Sequence, residues 1–164
     1  MNLKYSIGDA MQPIKKPALI IHICNDIGKW RSGFVLAVSK VNKKPEEVYL
    51  KAAKACNGNI PLGECQVVPI DTDITVINMI AQHDTKTILG IPPIRMDALT
   101  KCLLEVNNIA VVNGATVHAP RIGAVRSGGN WKDIEKIIIS TLTVDTYIYT
   151  LEIEKDMWDE TYLN

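Results

Sequence analysis

Ala18-Leu19-Ile20-Ile21-His22-Ile23-Cys24-Asn25 runs directly into Asp26-Ile27-Gly28-Lys29-Trp30-Arg31-Ser32-Gly33. The first half is apolar without alternation and rich in isoleucine, the pattern of a strand covered on both faces in the middle of an α/β sheet. The second half turns polar and glycine-punctuated where the strand ends. In open α/β sheets ligands bind beyond the carboxyl ends of the strands, so a strand that delivers an amide into a glycine loop marks a candidate site. Phe34, Val35, Leu36, Val38 and Val41 then read as a helix entered from Ser32, whose N-terminus points at whatever the loop holds.

Outward from this stretch the elements alternate. Leu3 to Ile7 reads as a short strand stopped by Gly8-Asp9, where Asp9 is either a plain turn residue or a ligand contact. Two prolines between Met11 and Pro17 predict an irregular connection. Pro45, Glu46 and Glu47 open a second helix that stops at Asn57-Gly58-Asn59. Glu64 to Ile70 and Ile74 to Ala81 form a hairpin across Asp71-Thr72-Asp73, and the second strand runs into the polar Gln82-His83-Asp84-Thr85-Lys86. Ile94, Leu99, Cys102, Leu103, Val106, Ile109 and Ala110 repeat at helical spacing up to a Gly114 stop. Thr116 to Ala119 is a short strand. It leads into a second glycine-rich loop, Arg121 to Asn130, then a helix from Trp131 to about Thr141 and a strand from Tyr147 to Ile153. The order predicts a three-layer α/β/α sandwich with a mixed sheet of six strands or slightly more.

The 164 residues, 47% hydrophobic and 22% charged, suit one domain over 1–164, with a core to about 153 and an acidic tail over 154–164. Trp158 and Tyr162 in that tail lead us to expect that it docks rather than hangs free. Lys plus Arg and Asp plus Glu each total 18, and aromatics are 5%, which argues against nucleic acid as the main partner. No N-terminal signal pattern precedes Lys4, and no apolar run reaches the roughly 18 residues that span a bilayer. Cys24, Cys56, Cys65 and Cys102 form no CxxC pair and lie in apolar segments, the habit of reduced thiols in a cytoplasmic protein. Their segments carry no signature of a nucleophile.

Both glycine loops run from a strand end into a helix start. Glycine lets consecutive N–H groups converge on an anion, and the helix terminus adds its partial positive charge. Together they make a diphosphate clamp, although neither has Walker or GxGxxG spacing and Asn130 three residues before Asp133 is also an ordinary helix cap. His22 has two readings: a strand histidine satisfied by its backbone surroundings, or an acid or base beside the clamp. His83, His118 and Asp84 show no metal-ligand spacing, so neither a metal nor any other cofactor is expected.

His22-Ile23-Cys24-Asn25 with Gly28, Trp30 and Gly33, followed by Pro120-Arg121-Ile122-Gly123 and Ser127-Gly128-Gly129-Asn130-Trp131, resembles the macrodomain family of ADP-ribose binders. The resemblance extends from about Tyr5 to Leu151 and is strongest to the branch holding ADP-ribose 1''-phosphate phosphatases and terminal ADP-ribose glycohydrolases. It implies that Asp9 holds the adenine amino group and Asn25 the distal ribose. It further implies that Ser32 and Gly33 hold one phosphate, and that Gly123 and the run Ser127, Gly128, Gly129 and Asn130 cradle the diphosphate. Glycohydrolases of that branch use a lysine and an aspartate where this chain has Gln82 or His83, and Ser127; Lys86 lies a few residues off. His22 matches a histidine of phosphatase members, so the implied catalytic pair is His22 and Asn25. The resemblance implies hydrolysis of ADP-ribose 1''-phosphate to ADP-ribose and phosphate, with removal of ADP-ribose from acidic protein side chains or a non-catalytic ADP-ribose reader as the alternatives; the expected partners are ADP-ribose or its 1''-phosphate, and ADP-ribosylated protein.

Overall fold

A computed structural model describes residues 3–124 and 126–163, so Val125 of the second glycine loop and Asn164 of the tail lie outside the described residues. The strands are β1 (Leu3–Ile7), β2 (Ala18–Asn25), β3 (Cys65–Pro69), β4 (Ile74–Gln82), β5 (Thr116–Ala119) and β6 (Thr146–Thr150). The helices are α1 (Phe34–Val41), α2 (Lys44–Ala55), α3 (Met96–Asn113) and α4 (Trp131–Thr141). The described strands form one six-stranded sheet in the order β1-β6-β5-β2-β4-β3. Only the β3–β4 hairpin is antiparallel, so the sheet is mixed as expected.

The double covering expected of β2 is met by two separate cores. Side chains alternate across a strand, so Leu19 and Ile21 join α3 and α4 while Ile20 and Cys24 join α1 and α2. In β4 the same alternation sends Ile77, Met79 and Ala81 one way and Val76 and Ile80 the other. α3 seals its face with Leu99, Cys102, Leu103, Val106 and Ala110, all fully buried, and ends on Gly114 in the left-handed region at φ 60°.

Two boundaries differ from the sequence reading. α1 begins at Phe34 rather than Ser32, because Gly33 takes φ 84° and ψ −144°, a backbone conformation that ends the loop one residue before the helix. The last strand stops at Thr150 rather than Ile153, because sheet pairing with β1 ends at Ile7 and the next turn, at Gly8, is held by its N–H to Thr150 O at 2.8 Å. Beyond it the tail winds into two short 3₁₀ turns, Glu152–Met157 and Glu160–Tyr162. The tail docks: Trp158 meets Trp131 edge to face with centroids 6.2 Å apart, and Leu163 is buried. All four cysteines are free thiols. No helix among the described residues is long and apolar enough to cross a membrane.

Candidate functional site

A cavity of about 840 Å³ opens beyond the carboxyl ends of β2, β5 and β6, where the sheet leaves its two glycine loops. Asp9, His22, Asn25, Ser32, Gly33, Gly123 and Ser127 all line it. One cavity therefore collects residues 118 positions apart in the chain, from Asp9 to Ser127.

The first loop is closed by the Asn25 side chain. Its Oδ1 accepts from the N–H groups of Ile27 at 3.2 Å and Lys29 at 3.0 Å, and lies 2.7 Å from the Tyr49 hydroxyl. Its Nδ2 donates to Lys29 O at 2.7 Å, which leaves the second Nδ2 hydrogen for the cavity. Tyr49, buried on α2, also accepts from Gly28 N–H at 3.1 Å. Asn25 thus shapes the loop whose far end, Ser32 and Gly33, forms the cavity wall.

The two loops meet. Arg126 donates to Ser32 Oγ at 3.2 Å and packs on Gly33, where a Cβ would stand 3.1 Å from its side chain. At the Gln82 end of β4, Ser127 donates its hydroxyl to Gln82 Oε1 at 2.5 Å. The family resemblance implies an aspartate at Ser127 and a lysine at Gln82 or His83. Gln82 and Ser127 form a closed pair without an ionisable group, the His83 ring bonds Asp26 outside the cavity lining, and Lys86 lies exposed outside the cavity.

The second loop is walled by Gly123, Arg126 and Ser127, whereas Gly128, Gly129 and Asn130 do not line the cavity. Each of the three is committed elsewhere. Gly128 sits where a Cβ would come within 2.9 Å of Pro92, Gly129 N–H donates to Gly123 O at 2.8 Å, and Asn130 caps α4 by accepting from Asp133 N–H at 3.3 Å. The cap reading of Asn130 is the one the geometry fulfils.

His22 and Asn78 are register partners on the adjacent parallel strands β2 and β4, so their side chains stand side by side on one face. Asn78 Nδ2 donates to Pro45 O and to Gln66 Oε1, both at 3.0 Å, which turns Oδ1 toward His22 Nε2 at 2.6 Å. An acceptor there requires the proton on Nε2 and leaves Nδ1 as the free lone pair, 3.9 Å from the Cys24 thiol. The partner that satisfies His22 is thus a side chain, not the backbone. Trp30 packs against the ring at 89° and 5.4 Å between centroids, and Phe34 at 5.7 Å. Burial pushes its pKa down to about 4, against a smaller upward pull from Asn78. At neutral pH the ring is uncharged.

His118 is held the same way on β5, between Thr116 Oγ1 at 2.7 Å and the Tyr149 hydroxyl at 2.8 Å, and burial lowers its pKa to about 4. Both histidines bind a proton more readily when unfolded, near 6.5, than when folded. Their contribution to stability is complete above pH 6.5 and is lost as the pH falls from there through 4. Urea unfolding at pH 4.5 should show each histidine costing on the order of 2 kcal/mol relative to pH 7.5. Equal unfolding midpoints at the two pH values would contradict the neutral buried rings. The half-exposed His83 ring bonds the buried Asp26 carboxylate at 2.7 Å and lies outside the cavity lining. Among the described residues no cluster of His, Cys, Asp and Glu could hold a metal ion.

Asp9 holds the other end of the cavity. One of its oxygens accepts from Met11 N–H at 2.8 Å, which fixes the carboxylate and leaves the second oxygen for a donor. Several lining residues carried no sequence signal of their own: Arg126 and, in the tail, Glu154 and Met157. Asn78 was detectable, as the one amide inside the otherwise apolar Val76 to Ala81.

No family model matches the chain. Among solved structures, a protein of unknown function from Bacteroides thetaiotaomicron is 42% identical with a TM-score of 0.87, covering 91% of this chain and 98% of that one. The mouse chromodomain-helicase-DNA-binding protein 1-like is 31% identical over 90% of this chain, which spans 18% of the length of that relative. An ADP-ribose 1''-phosphate phosphatase of Candida glabrata is 30% identical over 76 residues, 46% of this chain and 42% of that protein. The macrodomain protein of Streptomyces coelicolor is 36% identical with a TM-score of 0.80, covering 91% of this chain and 99% of that one. With that identity over both chains, and with the two glycine loops walling one cavity at the end of β2, the chain belongs to the macrodomain family.

Proposed function

We propose that the protein binds ADP-ribose. The observation that carries this reading is the single cavity with a fixed carboxylate, Asp9, at one end and two glycine loops joined by Arg126 toward the other. An elongated ligand with a donor-bearing base and a central diphosphate fits that order of groups. Backbone N–H groups at glycine turns and the α1 terminus supply the anion contacts without a basic surface.

His22 favours a second step, hydrolysis of ADP-ribose 1''-phosphate. His22 lines the cavity with Nδ1 as the acceptor of its ring, 3.9 Å from the Cys24 thiol, and the partial likeness to a phosphatase points the same way. In that step Nδ1 takes a proton from water as its oxygen bonds to phosphorus. The phosphorus to ribose-oxygen bond breaks, and the leaving oxygen takes that proton from the ring, which returns to its neutral form as ADP-ribose and inorganic phosphate part. At pH 7 the resting ring is neutral, the form that accepts a proton, and its lowered pKa makes the protonated ring a ready donor to the leaving oxygen. Removal of ADP-ribose from acidic side chains has less support, since Gln82 and Ser127 offer no acid or base and His83 lies outside the cavity lining, bonded to Asp26. A reader that binds and does not turn over its ligand is the remaining alternative.

Calorimetry with ADP-ribose, AMP and NAD tests the binding, and equal affinity for AMP and ADP-ribose would remove the second loop from recognition. Phosphate release from ADP-ribose 1''-phosphate should fall by about 10² or more in His22→Ala, the scale of a lost general base. Unchanged release would take His22 out of the chemistry. No turnover of that substrate or of ADP-ribosylated protein, with ADP-ribose still bound, would establish the reader.

A further inference from the structure

Charge is sorted along the cavity by the order of the strands. Asp9 follows β1 and Glu154 follows β6, neighbours at one side of the sheet, and these are the two carboxylates in the lining. Lys29 and Arg31 follow β2, and Arg126, in the loop after β5, reaches across to Ser32 Oγ at 3.2 Å. The loop end of the lining is therefore cationic and the Asp9 end anionic. Arg121, the fourth cation in the lining, is buried and already committed: it donates to Thr150 Oγ1 at 2.9 Å and faces the Trp158 ring at 4.2 Å.

The three cations of the loop end have no comparable use. Lys29, Arg31 and Arg126 are exposed, and none of them stands in an ion pair among the described residues. Arg126 gives one nitrogen to Ser32, which leaves further guanidinium donors for the cavity. Asp84, whose charge reaches Lys29 and Lys86, lies outside the lining. The first turn of α1 carries no acidic residue, so the helix terminus adds positive potential at the same end. In the reading above, backbone N–H groups meet the diphosphate. Three side-chain charges thus exceed what ADP-ribose itself employs.

We propose that Lys29, Arg31 and Arg126 form an anion subsite for a phosphomonoester on the terminal ribose, so that the cavity selects ADP-ribose 1''-phosphate over ADP-ribose. The claim rests on the ADP-ribose reading, which sets the base at Asp9 and the terminal ribose toward the loops. A phosphomonoester brings about two negative charges at neutral pH and three acceptor oxygens, and guanidinium groups grip such oxygens in pairs. Asp9 and Glu154 repel the same group from the other end, which fixes the direction in which the ligand lies. An ester to a protein side chain adds no such charge, so the subsite gives it no advantage.

The test is calorimetry with ADP-ribose and with its 1''-methylenephosphonate, in which a CH2 group replaces the bridging oxygen so that no phosphate can leave. The unaltered protein should bind the phosphonate about tenfold more tightly, the scale of one charge-assisted hydrogen bond, and added salt should shrink that ratio. The ratio should disappear in Lys29→Ala/Arg31→Ala, which leaves the Arg126 bond to Ser32 intact, and should fall in Arg126→Ala with partial recovery in Arg126→Lys. All three side chains are exposed, so the fold is retained and the melting temperature serves as the control. Equal affinity of the unaltered protein for the two ligands, or a ratio that survives these variants, overturns the subsite while leaving ADP-ribose binding in place. Failure of the unaltered protein to bind either ligand overturns the functional reading itself and the subsite with it.

Discussion

Asn25→Ala should lower the stability of the protein by about 3 kcal/mol or more and abolish ligand binding, the larger effect of any single change at the cavity. The side chain is 7% exposed and answers three donors with Oδ1 while Nδ2 holds Lys29 O. Alanine removes all four contacts at once. It leaves the part-buried Ile27 and Lys29 N–H groups without their acceptor, so each loses a hydrogen bond that holds the loop closed. The loop from Asp26 to Gly33 then loses the fold that presents Ser32 and Gly33. Urea unfolding and ADP-ribose titration measured on the same preparation separate two roles for Asn25. Loss of binding with stability unchanged would mean that the amide acts only on the ligand, as the family resemblance implies for the distal ribose. Loss of both is the result expected from the loop geometry.

Gly129→Ala should be nearly as damaging to binding although Gly129 does not touch the cavity. A Cβ at this position would stand 2.6 Å from Gly123 O and 2.8 Å from the Ile134 side chain. The first of these is backbone, which cannot rotate away, so the loop must move and the Gly129 N–H bond to Gly123 O must lengthen or break. Gly123 is a cavity residue at φ 70°, and its shift carries the wall with it. We expect a stability loss of about 1–3 kcal/mol, the usual range for forced overpacking. ADP-ribose affinity should fall at least about tenfold, since a 1 Å displacement of positioning groups is costly. AMP and ADP-ribose both titrate the result. A variant that binds ADP-ribose like the parent would show that the second loop tolerates displacement and is not a phosphate cradle.

The unbroken apolar run of β2, the hairpin across Asp71 to Asp73 and the helical spacing of α3 were legible because each depends on neighbours in the chain. Periodicity of two or 3.6 residues decides which face is apolar, and the sheet then assembles in the only layers that bury those faces. Glycine-rich stretches after two strand ends likewise announced where a ligand could sit. The sequence by itself therefore determined the α/β/α architecture, the pairing of the two loops as candidates and the approximate ends of most elements.

Tertiary structure alone decided what the individual side chains do. His22 is neutral because two packed layers bury it, and it carries its proton on Nε2 because the parallel register sets Asn78 beside it, and register is a property of two strands and not of either one. Asn25 is tied into its own loop by Tyr49 from another helix, and Ser127 closes on Gln82 across 45 residues. The tail became a cavity wall through Arg121, whose aromatic surroundings come from Tyr5, Trp131, Trp158 and Tyr162, residues scattered from one end of the chain to the other. Such contacts are fixed by distances of a few ångströms between segments far apart in the chain, and local patterning holds no record of them.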